Sequence, residues 1–129
     1  MILNYAMGMD PGQFKKLDPM LQSVVLAAAS FAYGKYGKGL LITSMIRDSG
    51  IHATGRGCDV DVCDGTVYEG GLLPIEAEVL CSHINGRFKY DILRPEKYVA
   101  FYGHRDKSAK HNNHIHFQTC HSSRTEMIG

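Results

Sequence analysis

Between Asp18-Pro19 and Gly34, apolar residues return at steps of three and four: Leu21, Val24, Val25, Ala28, Phe31 and Ala32. That spacing gathers them on one stripe of a helix. Asp18 supplies an N-cap oxygen and Pro19 a pre-set φ at the first helical position, so a helix is expected from Pro19 until Gly34. Elsewhere the period drops toward two. Leu40 to Ile46, Gly57 to Cys63, Tyr98 to Tyr102 and His114 to Cys120 read as strands, and Asp64-Gly65 before Thr66-Val-Tyr68 reads as a hairpin turn. Pro74 to Ile84 predicts a second helix stopped by Asn85-Gly86. The expected class is α+β, a small antiparallel sheet with helices packed on one side and its other face forming a cleft floor.

Alternation also sorts the chemistry. On an extended segment His114, His116 and Gln118 point one way while Ile115, Phe117 and Thr119 point toward a core. Two imidazoles two residues apart stand roughly 6.6 Å from each other, a spacing that suits one metal ligand and one neighbour. In Cys58-Asp59-Val60-Asp61-Val62 the two carboxylates share a face, and only one need reach a metal. Upstream of them is His52, with Gly55 and Gly57 between, which permit a sharp reversal and close approach. Zinc in hydrolases takes three ligands from His, Asp or Glu and keeps a fourth position for water. His52, Asp59 and one imidazole of the His114/His116 pair form such a set. Alone, His52 reads as a loop residue and Asp59 as a turn or ion-pair residue; their combination points to zinc.

The segment His52-Ala-Thr-Gly55-Arg-Gly57-Cys-Asp59 resembles the His-x-x-Gly-x-Ala-x-Asp pattern of the D-alanyl-D-alanine carboxypeptidase and L-alanyl-D-glutamate peptidase family of zinc peptidases. Ile42-Thr-Ser44-Met-Ile-Arg47 is similar to that family's strand ending in Ser-x-x-Arg. His114-Ile-His116 is similar to the His-x-His of murein endopeptidases, lysostaphin-type enzymes and the Hedgehog signalling domain. The resemblance spans roughly residues 17 to 120. It implies zinc held by His52, Asp59 and His116, a catalytic His114, and Arg47 reaching the substrate carbonyl or carboxylate. It further implies a Hedgehog-like zinc cleft and hydrolysis of a peptide bond in peptidoglycan stem peptides or cross-links. Three positions depart from the pattern: Gly57 replaces Ala, Gly50 stands where many relatives carry Ser, and no acidic residue occupies the place of His111 or Asn113. His114 is then left as the base. The rival from another class is a catalytically silent, zinc-stabilised module that binds cell wall or a protein. A third reading is a metal-free interaction domain.

Length and charge narrow the partners. A chain of 129 residues reads as one domain, 1–129, with its core at about 17–120. A net charge of +1 with interspersed signs favours neither nucleic acid nor a membrane surface; the resemblance implies a peptidoglycan stem peptide as partner, and a monomer is expected. No segment has the ~18 apolar residues of a membrane span. Met1-Ile-Leu-Asn-Tyr-Ala lacks the basic start and apolar stretch of a signal peptide, so synthesis in a cytosol is expected. A phage lysin released through a holin would reconcile that with a wall substrate, as would a virion-borne protein or a piece of a longer chain. Cys58, Cys63, Cys81 and Cys120 lack Cys-x-x-Cys spacing and are expected to be buried thiols rather than disulfides or zinc ligands. His104, His111 and His121 are set aside as ligands because three already suffice, Asp61 is read as an outer carboxylate, and His83 as structural. Tyr98, Phe101 and Tyr102 could line a cleft or fill the core.

Overall fold

A computed structural model describes residues 3–5, 9–45, 55–62, 71–90, 97–102, 114–119 and 128. Strand β1 is Leu3–Tyr5, helix α1 Pro19–Tyr36, β2 Leu40–Ser44, β3 Gly57–Asp61, helix α2 Pro74–Asn85, β4 Ala100–Tyr102 and β5 His114–Gln118. A 3-10 helix over Pro11–Lys16 leads into α1. The architecture is mixed α+β, with one five-stranded sheet in the order β1-β2-β3-β5-β4. Among the described residues, every strand pairing in this sheet is antiparallel except β1 with β2.

The caps decide where α1 runs. The Asp18 side chain accepts from the Leu21 N–H at 3.4 Å, and Pro19 occupies the first turn as its sequence signal predicts. The helix passes through Gly34 and stops three residues later, where Gly37 adopts φ 67° and its N–H closes on the Tyr33 carbonyl at 2.9 Å. A left-handed terminal residue ends a helix, whereas an exposed internal glycine only weakens it. In α2 the missing side-chain cap at Leu73 is offset by Glu76, whose Oε1 accepts from the Leu73 N–H at 2.8 Å and from Lys38 Nζ at 2.6 Å. Lys38 follows the end of α1, so this ion pair ties the start of one helix to the end of the other.

The stripe read from the sequence is the buried side of α1. Leu21, Val24, Val25, Ala28 and Ala32, together with Ala29, are 0 % exposed, and Phe31 packs partly buried at the margin against His83 of α2, ring centroids 4.1 Å apart. They share one cluster with Ala77, Leu80, Cys81 and Ile84 of α2 and with Cys58, Val60, Ala100, Ile115 and Phe117 of the sheet. Burial of each large aliphatic or aromatic side chain contributes about 1.5–3 kcal/mol. The alternate residues of β3 and β5 therefore face away from this cluster.

Strand bounds are shorter than the sequence signals: β2 ends at Ser44, β3 at Asp61 and β5 at Gln118. Val62 still bridges Leu72 beyond β3. β4 covers only the last three residues of its predicted span. Ahead of it, Lys97 takes φ 56° and the Tyr98 carbonyl accepts from the Gln118 side chain. Ordered structure also extends outside the anticipated core, since β1 lies near the start of the chain and pairs Leu3 with Leu40 through Tyr5 with Ile42. The predicted hairpin at residues 64–68 lies outside the described residues. Among the described residues, no helix is long and apolar enough to cross a membrane.

Candidate metal centre

The centre of the sheet places Asp59 directly opposite His116, and Asp61 directly opposite His114. In an antiparallel pair, residues in direct register project on the same face. Asp59, Asp61, His114, His116 and Gln118 therefore share the face turned away from the apolar cluster. Phe101 is opposite His116 on the other flank, and Ser44 is opposite Asp59. Between Ile42 and Ser44 the register slips by one residue at Thr43, whose hydroxyl donates to the Asp59 carbonyl at 3.4 Å.

Within this patch the Asp59 carboxylate meets both imidazoles. Asp59 Oδ1 is 2.7 Å from His116 Nδ1, and Asp59 Oδ2 is 4.0 Å from His114 Nε2. Asp59 and His116 are only 6 % and 9 % exposed. The Phe101 ring covers the imidazole of His116 with centroids 5.0 Å apart at 55°. His116 Nε2 lies 3.2 Å from Gln118 Oε1, and Gln118 Nε2 donates to the Tyr98 carbonyl at 3.1 Å. Burial of a carboxylate and an imidazole at a single point is costly unless each is compensated by the other or by a cation.

Two donors at about 2.0–2.2 Å from a tetrahedral zinc ion lie roughly 3.3 Å apart. The 2.7 Å contact is a hydrogen-bond spacing, and opening it by about half an ångström gives the ligand spacing. A buried carboxylate oxygen and an imidazole nitrogen facing each other are donor types that zinc accepts, and they are two of the three ligands expected from the sequence. The third expected ligand, His52, lies outside the described residues, as does Arg47. Among the described residues alone, no group of three His, Cys, Asp or Glu side chains is arranged to hold a metal.

Gly55 has φ +72°, and its carbonyl accepts from the Asp18 N–H at 2.8 Å, while a Cβ there would come within 3.1 Å of the Lys16 carbonyl. The left-handed backbone and the close approach ahead of Asp59 are thus both at Gly55. Gly57 has no left-handed backbone; it opens β3 opposite Gln118. The Thr119 hydroxyl donates to Asp18 Oδ2 at 3.3 Å, which links the end of β5 to the cap of α1.

Cys58 points to the core as a free thiol, and burial, with the neighbouring Asp59 charge adding to it, pushes its ionisation far above the usual range. A thiol buried in this way is held in its neutral form. Cys81 is buried in α2, and Cys63 and Cys120 lie outside the described residues. His83 stacks on Phe31, a packing role. His104, His111, His121, Gly50 and Asn113 lie outside the described residues. Of the aromatic residues left open by the sequence, Phe101 joins the histidine face, while Tyr102 packs against the apolar cluster.

Three contributors carried no assigned role in the sequence: Gln118, the Tyr98 carbonyl and Asn85, whose side-chain amide bonds the backbone of Val99 and Ala100 beside Tyr98. Alternation had already set Gln118 beside the imidazoles, and a long amide two residues from a histidine on one face is within reach of its ring. Asn85 gave only a helix-stop signal. Comparison with protein-family models, curated proteins and solved structures finds no match to this chain.

Proposed function

We propose that the protein is a zinc-dependent peptidase that hydrolyses a peptide bond in bacterial peptidoglycan stem peptides or cross-links. The observation that carries this reading is the cross-strand meeting of Asp59 and His116, with His114 4.0 Å from the same carboxylate on one sheet face. Asp59 and His116 would hold the ion together with His52, which enters from the sequence alone. When bound, zinc supplies a water acidified toward a pKa of ~7 and a Lewis acid for the scissile carbonyl.

The chain's own residues take the remaining tasks. His114, less buried than His116, accepts the proton of the attacking water at an imidazole nitrogen and returns it to the departing amine. Phe101 and the sheet exclude water from the inner side of His116, and Arg47 offers a fork of donors to the developing oxyanion. In this reading the Asp59, His114 and His116 face is the floor of a Hedgehog-like cleft. The sequence resemblance to peptidoglycan peptidases supplies the substrate class.

Mass spectrometry of purified peptidoglycan after incubation tests the reading. New peptide termini that vanish with a chelator and return with zinc are expected. Intact stem peptides after incubation with zinc-loaded protein would favour the silent binding module instead.

A further inference from the structure

Among the described residues β4 is an edge of the sheet, and an edge strand turns one row of its peptide groups away from its neighbour. At the start of β4 that row is taken up by a side chain. Asn85, the last residue of α2, accepts at Oδ1 from the Val99 and Ala100 N–H groups, both at 2.9 Å, and its Nδ2 donates to the Ala100 carbonyl at 2.7 Å. A primary amide carries the same kinds of donor and acceptor as a peptide group, so Asn85 does for these residues what a further strand would do. On the inner side the Val99 carbonyl accepts from the Gln118 N–H at 2.8 Å. Val99 and Ala100, 1 % and 0 % exposed, are thus bonded from both sides where water does not replace a lost partner.

Two side chains that meet His116 leave from this corner. Phe101 is the next residue, directly opposite His116 in register, and its ring lies over the imidazole with centroids 5.0 Å apart. Gln118, whose Oε1 is 3.2 Å from His116 Nε2, has its amide nitrogen on the Tyr98 carbonyl at 3.1 Å. A shift of residues 98–100 therefore moves both neighbours of the imidazole at once.

We propose that Asn85 is a positioning residue for His116: by standing in for a strand along Val99 and Ala100, it fixes the corner from which Phe101 and Gln118 hold the imidazole beside Asp59. The consequence for metal affinity rests on the zinc reading above, and the placement of the ring does not.

Asn85→Asp keeps the shape and the acceptors of the side chain but sets an oxygen against the Ala100 carbonyl in place of the donor. In metal-free protein labelled at Phe and His, nuclear Overhauser cross-peaks between the Phe101 and His116 rings should be present in the wild type. They should be weak or absent in the variant at about pH 7.5, where the introduced carboxyl is ionised, while helical circular dichroism stays that of the wild type. Competition with a chromogenic chelator should find the variant's zinc dissociation constant raised about 10-fold, the lower end of the effect of groups that orient a ligating histidine. Cross-peaks that persist in the folded variant overturn the placement of the ring by Asn85, as does rapid exchange of the Val99 and Ala100 N–H groups in the wild type. An unchanged zinc constant overturns the consequence for the metal. Should Asn85→Asp not fold, Asn85→Ser, a shorter polar side chain, takes its place with the same outcomes. A wild type that takes up no zinc overturns the zinc reading, and loss of the ring cross-peaks in the variant then still supports the role of Asn85.

Discussion

Asp59 and His116 face each other across β3 and β5 in direct register, Oδ1 to Nδ1 at 2.7 Å, in a part of the sheet where both side chains are almost fully buried. Backbone pairing sets that meeting. A one-residue slip of β5 would send His114, His116 and Gln118 into the apolar cluster and bring Ile115 and Phe117 to the histidine face. The apolar residues of β5 therefore fix the register that assembles the site.

His114 is expected to be separable from His116. His114→Ala should abolish peptide hydrolysis while leaving zinc binding close to that of the wild type, because His114 stands 4.0 Å from Asp59 and has a different partner in register, Asp61. Product analysis beside a zinc titration of the same sample checks this. Loss of zinc together with activity would mean that the roles of His114 and His116 are exchanged.

Arg47→Lys should keep the fold and reduce turnover by roughly 100-fold, as expected when a fork of donors to an oxyanion is replaced by a single ammonium. Turnover on purified stem peptides, with circular dichroism as the folding control, measures it. Equal rates would remove Arg47 from the site.

Gly34 is an exposed residue inside α1, and a Cβ built on it meets nothing within 4 Å. Gly34→Ala should stabilise the protein by about 0.5–1 kcal/mol through helix propensity and a less flexible unfolded chain. Thermal unfolding should rise by a few degrees. Gly37→Ala, at φ 67°, should move the midpoint the other way.

Glu76 supplies a pH dependence. Burial opposes its ionisation, but the Leu73 N–H and Lys38 outweigh that and hold its carboxyl below the ordinary value of 4.5. A carboxyl whose value falls on folding stabilises the fold fully above its unfolded value, and that contribution is lost as pH drops through the lowered folded value. Glu76→Gln should therefore be less stable than the wild type at neutral pH, and the gap should close below about pH 4.5. Urea unfolding across that range tests it, and a gap that stays constant to pH 3 would contradict the assignment.

Much of this arrangement was legible in the sequence. Asp18-Pro19, the apolar stripe of α1 and the alternation in β3 and β5 are local signals, and each maps onto an element close to its expected place. Alternation alone set His114, His116 and Gln118 on one side and Asp59 and Asp61 together. What escaped was decided by distant partners. Leu3–Tyr5 is too short to show a period and becomes a strand only because β2 lies beside it. The end of α1 moved from Gly34 to Gly37 because backbone handedness, not residue type, ends the helix. Asn85 looked like punctuation, yet its amide closes on Val99 and Ala100 across the chain, a contact with no local signature.

The central claim is that this face holds zinc, and the metal content of purified protein dialysed against limiting zinc tests it most directly. Elemental analysis should find one zinc per chain in the wild type and a sharp loss in His116→Ala, accompanied by lower stability because site assembly and folding are coupled. A folded wild type without zinc, or His116→Ala with its full complement, would contradict it.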